Sequence, residues 1–257
     1  MPVDYLSYSS VSAYLACPKS WWFRYIKKPL TKTSVALVFG SAVHDTIETY
    51  VSARQQEGVE NVRPMAELWP RFWQEQLETR NNIKWDRPMD YYTELGEKML
   101  SVPAIVKTLD GLKLKIENDS PVIEKKVRFN VPGVPIPIIG YIDAIEQDGV
   151  PIDIKTAGRA WSRGKEHSEL QPTFYLLALN QAGYEIPEWK FRYYVLTKTK
   201  APKLQVLETS RTVDELFWTM GLIAEVWQAI EAGHYHPNPT GWKCNPKYCD
   251  YYEFCRG

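Results

Sequence analysis

The sequence predicts a mixed α+β fold in which helices flank a central mixed sheet. Two observations predict this class. The order of patterned segments is helix, three strands, helix, strand, helix. An Asp-Gly pair at residues 148–149 separates two apolar strand patterns, which is a strong signal for a β-hairpin. With 257 residues, of which 44% are hydrophobic, the chain is long enough to bury a core. We therefore expect one domain over residues 1–257.

The first part of the chain has helical periodicity. It predicts four helices, over residues 7–26, 41–55, 64–80 and 90–109. Ser9 or Ser10 is the expected N-cap of the first helix, and Pro29 lies beyond its end. The third and fourth helices are interpreted as a helical insertion that covers about residues 56–118.

Strand patterns dominate the middle of the chain, and a cysteine-containing tail ends it. The predicted elements are strands over residues 122–131, 136–146 and 150–156, a helix over 168–182, a strand over 190–197 and a helix over 213–232. The tail, residues 234–257, is rich in Pro, Gly, Tyr and Cys. Such a segment buries too little apolar area to fold alone, so we expect a covalent or metal link to hold it.

Composition and charge restrict the class of protein only weakly. There is no run of about 18 apolar residues, so no membrane span is predicted. The N-terminus lacks the basic patch and apolar run of a secretory signal, so we expect a cytoplasmic protein of bacterial, archaeal or phage origin. The formal net charge is zero. This value neither favours nor excludes DNA binding, because catalytic carboxylates and a basic groove cancel in the sum.

Two carboxylates and a lysine are expected to meet on the predicted hairpin. Side chains alternate between faces along a strand, so Asp153 and Lys155 share one face, and the Asp-Gly turn brings Asp143 beside them. One hypothesis is a site for a hard divalent cation such as Mg²⁺, which takes oxygen ligands and activates phosphodiesters. The other is a structural ion pair at a sheet edge. The spacing alone leaves both open.

Four short segments in a fixed order resemble the RecB-like branch of the PD-(D/E)XK nuclease superfamily. They are Gly40-Ser41-Ala42-Val43-His44, Gly140-Tyr141-Ile142-Asp143, Asp153-Ile154-Lys155-Thr156 and Gln171-Pro172-Thr173-Phe174-Tyr175. Each segment is a weak signal alone, but the ordered set is specific and spans nearly the whole chain. The resemblance implies a restriction-endonuclease-like core and a DNA substrate.

The resemblance also implies roles for individual residues. It implies a Mg²⁺ or Mn²⁺ site formed by His44, Asp143, Asp153 and the carbonyl oxygen of Ile154. It implies that Lys155 assists the attacking water and that Gln171 and Tyr175 help to position DNA. Two further carboxylates, Glu48 and Glu124, could support the metal ligands from behind, but the favoured interpretation is that they are solvated or structural.

The chain has four cysteines, Cys17, Cys244, Cys249 and Cys255. Without a secretory signal, disulfides are disfavoured and a metal centre is the better hypothesis. The tail has no Cys-x-x-Cys pair of the kind that structural zinc sites use. One distant and three clustered cysteines resemble the iron–sulfur nucleases of the same superfamily, which include AddB-type and CRISPR-adaptation exonucleases. That resemblance implies a 4Fe-4S cluster that joins Cys17 to residues 244–255, with zinc as the alternative.

This tail has Cys-x4-Cys at residues 244–249, where that group of nucleases most often has Cys-x-x-Cys. The difference weakens the assignment of the cluster type, but not the expectation that a metal centre joins Cys17 to the tail. His234 and His236 could substitute as ligands. We do not expect them to bind, because four cysteines complete the set.

Aromatic and basic residues alternate in two places that could follow a DNA backbone. Trp22, Arg24 and Lys27 lie in the first, and Lys198 and Lys200 in the second. The alternative for each place is a solvated face with its aromatic rings packed inward.

The predicted function is metal-dependent DNA exonuclease activity on single strands or ends, in recombination, repair or CRISPR adaptation. No Gly-x4-Gly-Lys-Ser/Thr phosphate loop is present, so the chain has no ATP motor of its own. Two arrangements stay open: a stand-alone exonuclease, or one that works with a separate helicase, recombinase or CRISPR-adaptation protein. One alternative is a non-catalytic DNA- or protein-binding module of the same fold, which would have no need for Asp143, Asp153 and Lys155. The other is a structural metalloprotein whose cysteines are its only site.

Overall fold

The computed structural model describes residues 2–58, 62–80 and 82–257. Its α-helices are α1 (Tyr8–Ala16), α2 (Pro18–Trp22), α3 (Val35–Glu57), α4 (Met65–Glu78), α5 (Met89–Leu100), α6 (Pro103–Asp110), α7 (Lys165–Ser168), α8 (Gln171–Gln181), α9 (Val213–Glu231) and α10 (Tyr252–Arg256). Its strands are β1 (Thr33–Ser34), β2 (Ile83–Lys84), β3 (Ile116–Glu117), β4 (Ser120–Pro121), β5 (Ile123–Phe129), β6 (Ile138–Ile145), β7 (Pro151–Ala157), β8 (Lys190–Thr197) and β9 (Leu204–Ser210). Within these ranges, every helix is too short or too polar to span a bilayer.

A five-stranded sheet in the order β5-β6-β7-β8-β9 forms the centre of the molecule. Only β7 and β8 pair in parallel, and the other neighbours are antiparallel. The predicted mixed sheet with flanking helices is therefore confirmed. One apolar cluster joins the sheet to α1, α8 and α9, and a second joins it to α3, α4, α5 and α6. Both faces of the sheet are thus covered, as a mixed sheet of apolar strands requires.

The hairpin of β6 and β7 forms as the Asp-Gly signal predicts. Ala144 pairs with Ile152, a register that makes Asp143 and Asp153 neighbours across the two strands. Gly149 has a φ of 87°, a left-handed conformation that glycine adopts without strain. Arg192 on β8 donates to Glu146 at 2.6 Å and to Asp148 at 2.8 Å. This branched contact anchors the turn to the sheet and so fixes the strands that carry both aspartates.

The helical layer on one face is built from α3, α4, α5 and α6. Phe39 of α3 packs against Trp69 of α4 at 5.3 Å, and Trp69 stacks on Trp73 at 5.5 Å between ring centroids. A Cβ at Gly96 of α5 would overlap the Trp69 indole, so the absence of a side chain there allows the close packing of α4 and α5. The layer holds α3 rigidly against the sheet.

Several predicted helix boundaries were wrong, and proline explains two of them. The helix predicted over residues 7–26 is interrupted at Cys17, whose φ of −166° is extended, because Pro18 disfavours a helical residue before it. The helix over 90–109 is interrupted before Pro103 for the same reason. The N-cap of α1 is Ser7, whose hydroxyl accepts from the Ser10 amide at 3.1 Å, rather than Ser9 or Ser10.

Three further elements differ from the prediction. The second helix, α3, begins at Val35 instead of residue 41. The helix predicted over 168–182 is α8 and begins at Gln171, because Glu169 is extended, and the short helix α7 before it was not predicted. Strand β9 was missed, since its exposed edge position gives it only partial apolar alternation.

Candidate functional site

Helix α3 approaches β7 closely at one glycine. A Cβ on Gly40 would lie 3.2 Å from Oγ1 of Thr156, so only a small residue permits this approach. One helical turn later, Nε2 of His44 lies 2.7 Å from Oδ2 of Asp143 and 3.1 Å from the carbonyl oxygen of Ile154. The same Asp143 oxygen accepts from the Ile154 amide at 2.5 Å. The helix and the hairpin therefore bring three of the four predicted metal ligands into direct contact.

Asp153, the fourth predicted ligand, faces the helical layer that contains α8. Its carboxylate is almost fully buried and accepts from Nζ of Lys155 at 2.8 Å. Nε2 of Gln171 donates to the same oxygen at 2.6 Å and lies 3.1 Å from the hydroxyl of Tyr175. Gln171 and Tyr175 share one face of α8 because they are four residues apart. The predicted catalytic residues thus form two groups on neighbouring strands. One contains His44 and Asp143, and the other contains Asp153, Lys155, Gln171 and Tyr175.

Glu48 and Glu124, for which the sequence favoured a solvated or structural role, lie beside His44. Glu48 is not solvated: its side chain is 12% exposed, and Oε1 lies 2.6 Å from Nδ1 of His44. Glu124 lies 3.9 Å from the same nitrogen and has a φ of 46°, a strained conformation for a residue with a side chain. Ligand atoms of His44, Glu48, Glu124 and Asp143 all lie within 4.8 Å of one another. The spacing of four between His44 and Glu48 was the available signal for this contact.

Burial controls the electrostatics of these carboxylates. It raises the pKa of Glu48 to about 7 and that of Asp153 to about 6, the latter despite the opposing charge of Lys155. Burial alone would lower the pKa of His44, but Asp143 and Glu48 hold it well above its ordinary value. Likewise, Asp153 and Asp143 outweigh burial and raise the pKa of Lys155, which keeps its ammonium charged.

The donor set fits a hard divalent cation. Glu48 Oε1 and Asp153 Oδ2 are buried and have no aligned hydrogen-bond donor. Carboxylate and carbonyl oxygens with one imidazole are ligands that Mg²⁺ and Mn²⁺ accept. Each of the two oxygens also lies beside a cationic side chain, since Glu48 Oε1 is 2.6 Å from Nδ1 of His44 and Asp153 Oδ2 is 2.7 Å from Nζ of Lys155. The grouped ligand atoms of His44, Glu48, Glu124 and Asp143, with the carbonyl oxygen of Ile154, can therefore hold such an ion. Asp153 is not part of that group, and its binding to the ion stays a prediction.

All four cysteines line one cavity of about 590 Å³ between the N-terminal helices and the tail. All are free thiols, and Cys17 accepts from the Asn238 amide at 3.4 Å. Across the described ranges, no three of the thiols lie within 4.8 Å of one another. In a tetrahedral zinc site with bonds of about 2.3 Å, every pair of thiolates would be closer than about 4.6 Å. Among the described residues, the thiols are therefore not grouped at the spacing of a single bound ion.

The residues predicted to contact DNA lie in different surroundings. Trp22 is packed rather than free, since its ring stacks on Tyr235 at 6.3 Å and the amine of Lys27 lies 5.3 Å from it. Arg24 lines the cysteine cavity. Lys198 and Lys200 follow β8, and Lys200 is the more exposed of the two. Contact of these five residues with DNA stays a prediction.

Comparisons with known proteins agree with this architecture. A sequence profile of the PD-(D/E)XK nuclease superfamily matches residues 5–256. A candidate exonuclease from Eubacterium rectale shares the fold, with a TM-score of 0.58 at 12% identity over 99% of this chain and 89% of that one. The solved structure of SSO0001 aligns over 96% of this chain and 96% of that one, with 16% sequence identity and a TM-score of 0.37. Curated protein sequences yield no match. Since the profile spans nearly all of its length, the chain belongs to the PD-(D/E)XK nuclease superfamily.

Proposed function

We propose that this protein is a metal-dependent DNA exonuclease that acts on single strands or DNA ends. The observation that carries the proposal is the placement of Asp143 and Asp153 side by side on the hairpin, with Lys155 bonded to Asp153 and His44 bonded to Asp143. A structural ion pair between Asp153 and Lys155 would need neither the second carboxylate nor the histidine.

Mg²⁺ or Mn²⁺ would be held by His44, Asp143, Asp153 and the carbonyl oxygen of Ile154. When bound, such an ion polarises a phosphodiester and lowers the pKa of a coordinated water. Glu48 supports this site through the imidazole, because its carboxylate contacts Nδ1 while Nε2 faces Asp143. A carboxylate on the distal nitrogen of a ligating histidine fixes the orientation of the ring.

Lys155 provides the positive charge at the scissile phosphate. Its ammonium is fixed by Asp153 at 2.7 Å and stays protonated, so it orients the attacking water and offsets charge on the phosphate oxygens instead of acting as a base. Gln171 holds the Asp153 carboxylate in place, and its contact with Tyr175 brings that hydroxyl into the same group.

The test is degradation of end-labelled DNA. Linear single strands with Mg²⁺ or Mn²⁺ should be shortened from an end, whereas circular single strands should resist. Asp153→Asn and Lys155→Ala should each lower the rate about 100- to 1000-fold, as loss of an electrostatic stabiliser does. Lys190→Ala, which removes a surface lysine of β8, is the matched control. Unchanged rates in both site variants would overturn the assignment, and cleavage of circles would show an endonuclease.

For the second metal centre we propose a 4Fe-4S cluster held by Cys17, Cys244, Cys249 and Cys255. The proposal is supported by the four thiols that line one cavity. A cubane is larger than one ion and takes four thiolates. Anaerobically purified protein should contain about four irons and four sulfides per chain. Stoichiometric zinc without iron would overturn the cluster and restore the zinc alternative.

A further inference from the structure

A cavity of about 480 Å³ lies next to the carboxylate site, between the N-terminal segment, β5, β6 and α8. Three of the proposed catalytic residues, Lys155, Gln171 and Tyr175, line it, so the cavity opens directly onto the place of the reaction. Its volume is in the range of about 300–1,000 Å³ that small-molecule sites have. We propose that it binds one unpaired nucleotide that flanks the scissile phosphate. This inference rests on the nuclease function proposed above.

Two tyrosines offer the base a surface to stack on. Tyr5 and Tyr141 line the cavity, and they are 53% and 51% exposed. Tyr5 is held beside β6, the strand of Tyr141, because the neighbouring Leu6 donates to the carbonyl of Pro137 at 3.0 Å. Aromatic rings of this kind bind any base through its flat face.

The charge of the cavity matches a phosphate. All charged side chains among the described residues that line it are lysines, namely Lys126 and Lys155. Lys126 is exposed and pairs directly with Tyr141 across β5 and β6. Two cations are therefore available in the cavity lining to contact phosphates, and one of them belongs to the proposed catalytic group. This combination of stacking rings and cations is typical of a nucleotide site in single-stranded DNA.

The back of the cavity limits its occupant to a single unpaired nucleotide. A Cβ on Gly140 would lie 2.8 Å from the Tyr175 ring, so the wall there is already in close contact. A cavity of this volume accommodates one nucleotide, and a paired base would bring a second nucleotide with it. A duplex end would have to fray first, which costs unstacking energy. The geometry therefore favours single strands over paired ends.

The direct test measures stacking without cleavage. In an Asp143→Asn background, 2-aminopurine is placed in turn at each of the first few positions from either end of a single strand. We expect strong fluorescence quenching at one position, and about tenfold weaker binding when Tyr5→Ala and Tyr141→Ala are added. Tyr141→Phe should keep the quenching, because the ring is retained. Phe217→Ala, which removes an exposed ring on α9, is the matched control. Quenching unchanged by both alanine substitutions would overturn the proposal.

A second measurement separates this proposal from the nuclease function. In the otherwise unaltered protein, kcat/KM is compared for strands with a normal or an abasic nucleotide at the quenched position. The normal strand should be preferred several-fold, and Tyr141→Ala should remove that preference. Equal use of both strands by the unaltered protein would contradict the base pocket. If no strand is cleaved at all, the nuclease function fails, and the fluorescence result still decides whether the cavity binds a nucleotide.

Discussion

Nε2 of His44 lies 2.7 Å from Oδ2 of Asp143, although the two residues belong to a long helix and a distant strand. The contact depends on the close approach of α3 to β7 at Gly40. It places an imidazole nitrogen beside the carbonyl of Ile154 as well. The metal site we propose therefore depends on the packing of α3 as much as on the hairpin.

His44→Ala should weaken binding of Mn²⁺ by at least about 100-fold and lower DNA cleavage correspondingly, because it removes a proposed ligand. Titration calorimetry with Mn²⁺ measures the affinity. His167→Ala is the control, since that histidine contacts Thr209 away from the carboxylates. Equal Mn²⁺ affinity in the His44 variant and the control would show that the imidazole does not bind the ion.

Glu48→Gln should lower the Mn²⁺ affinity about 10- to 100-fold while the protein stays folded. The substitution keeps the shape of the side chain but removes the charge that lies 2.6 Å from Nδ1 of His44. Glu225→Gln on an exposed position of α9 is the matched control. If the variant binds Mn²⁺ as tightly as the control does, Glu48 has only a structural role.

Strand alternation was sufficient to predict the centre of the site. The Asp-Gly turn fixes the register of β6 and β7, and that register places Asp143 beside Asp153. The positions of Gln171 and Tyr175 followed from helical spacing. These relationships join residues that are close in sequence, so the spacing of the residues is enough to predict them.

Other parts of the site depend on contacts between distant segments. The orientation of Glu48 depends on which face of α3 packs on the sheet. The orientation of Glu124 depends on its backbone φ of 46°, and strand alternation does not predict such a conformation. The nucleotide cavity needs Tyr5 beside β6, a pairing between the N-terminal segment and the middle of the chain. Edge strand β9 was missed because one of its faces is exposed.

Cys17→Ser should remove most of the bound iron and lower the thermal stability of the whole chain. Cys17 lies at the break between α1 and α2 and is the only cysteine outside the tail, so its thiolate is the proposed link between the two ends. Metal binding contributes directly to folding free energy in such centres. Iron content and thermal unfolding measure both effects, with Ser52→Ala on α3, outside the cysteine cavity, as the control. An unchanged melting temperature would mean that the ends are not joined.

Gly140→Ala should lower DNA cleavage by up to about 100-fold, because a displacement of about 1 Å at a catalytic group can have that effect. The added Cβ would lie 2.8 Å from the Tyr175 ring and would push it away from Gln171. Overpacking of this kind also destabilises a fold by about 1–3 kcal/mol. Gly221→Ala on α9, where a Cβ meets nothing within 4 Å, should leave cleavage unchanged and stabilise the helix by about 0.5–1 kcal/mol. Steady-state rates and chemical denaturation separate the two effects. A Gly140 variant that is destabilised but fully active would show that the position of the Tyr175 ring does not matter for the reaction.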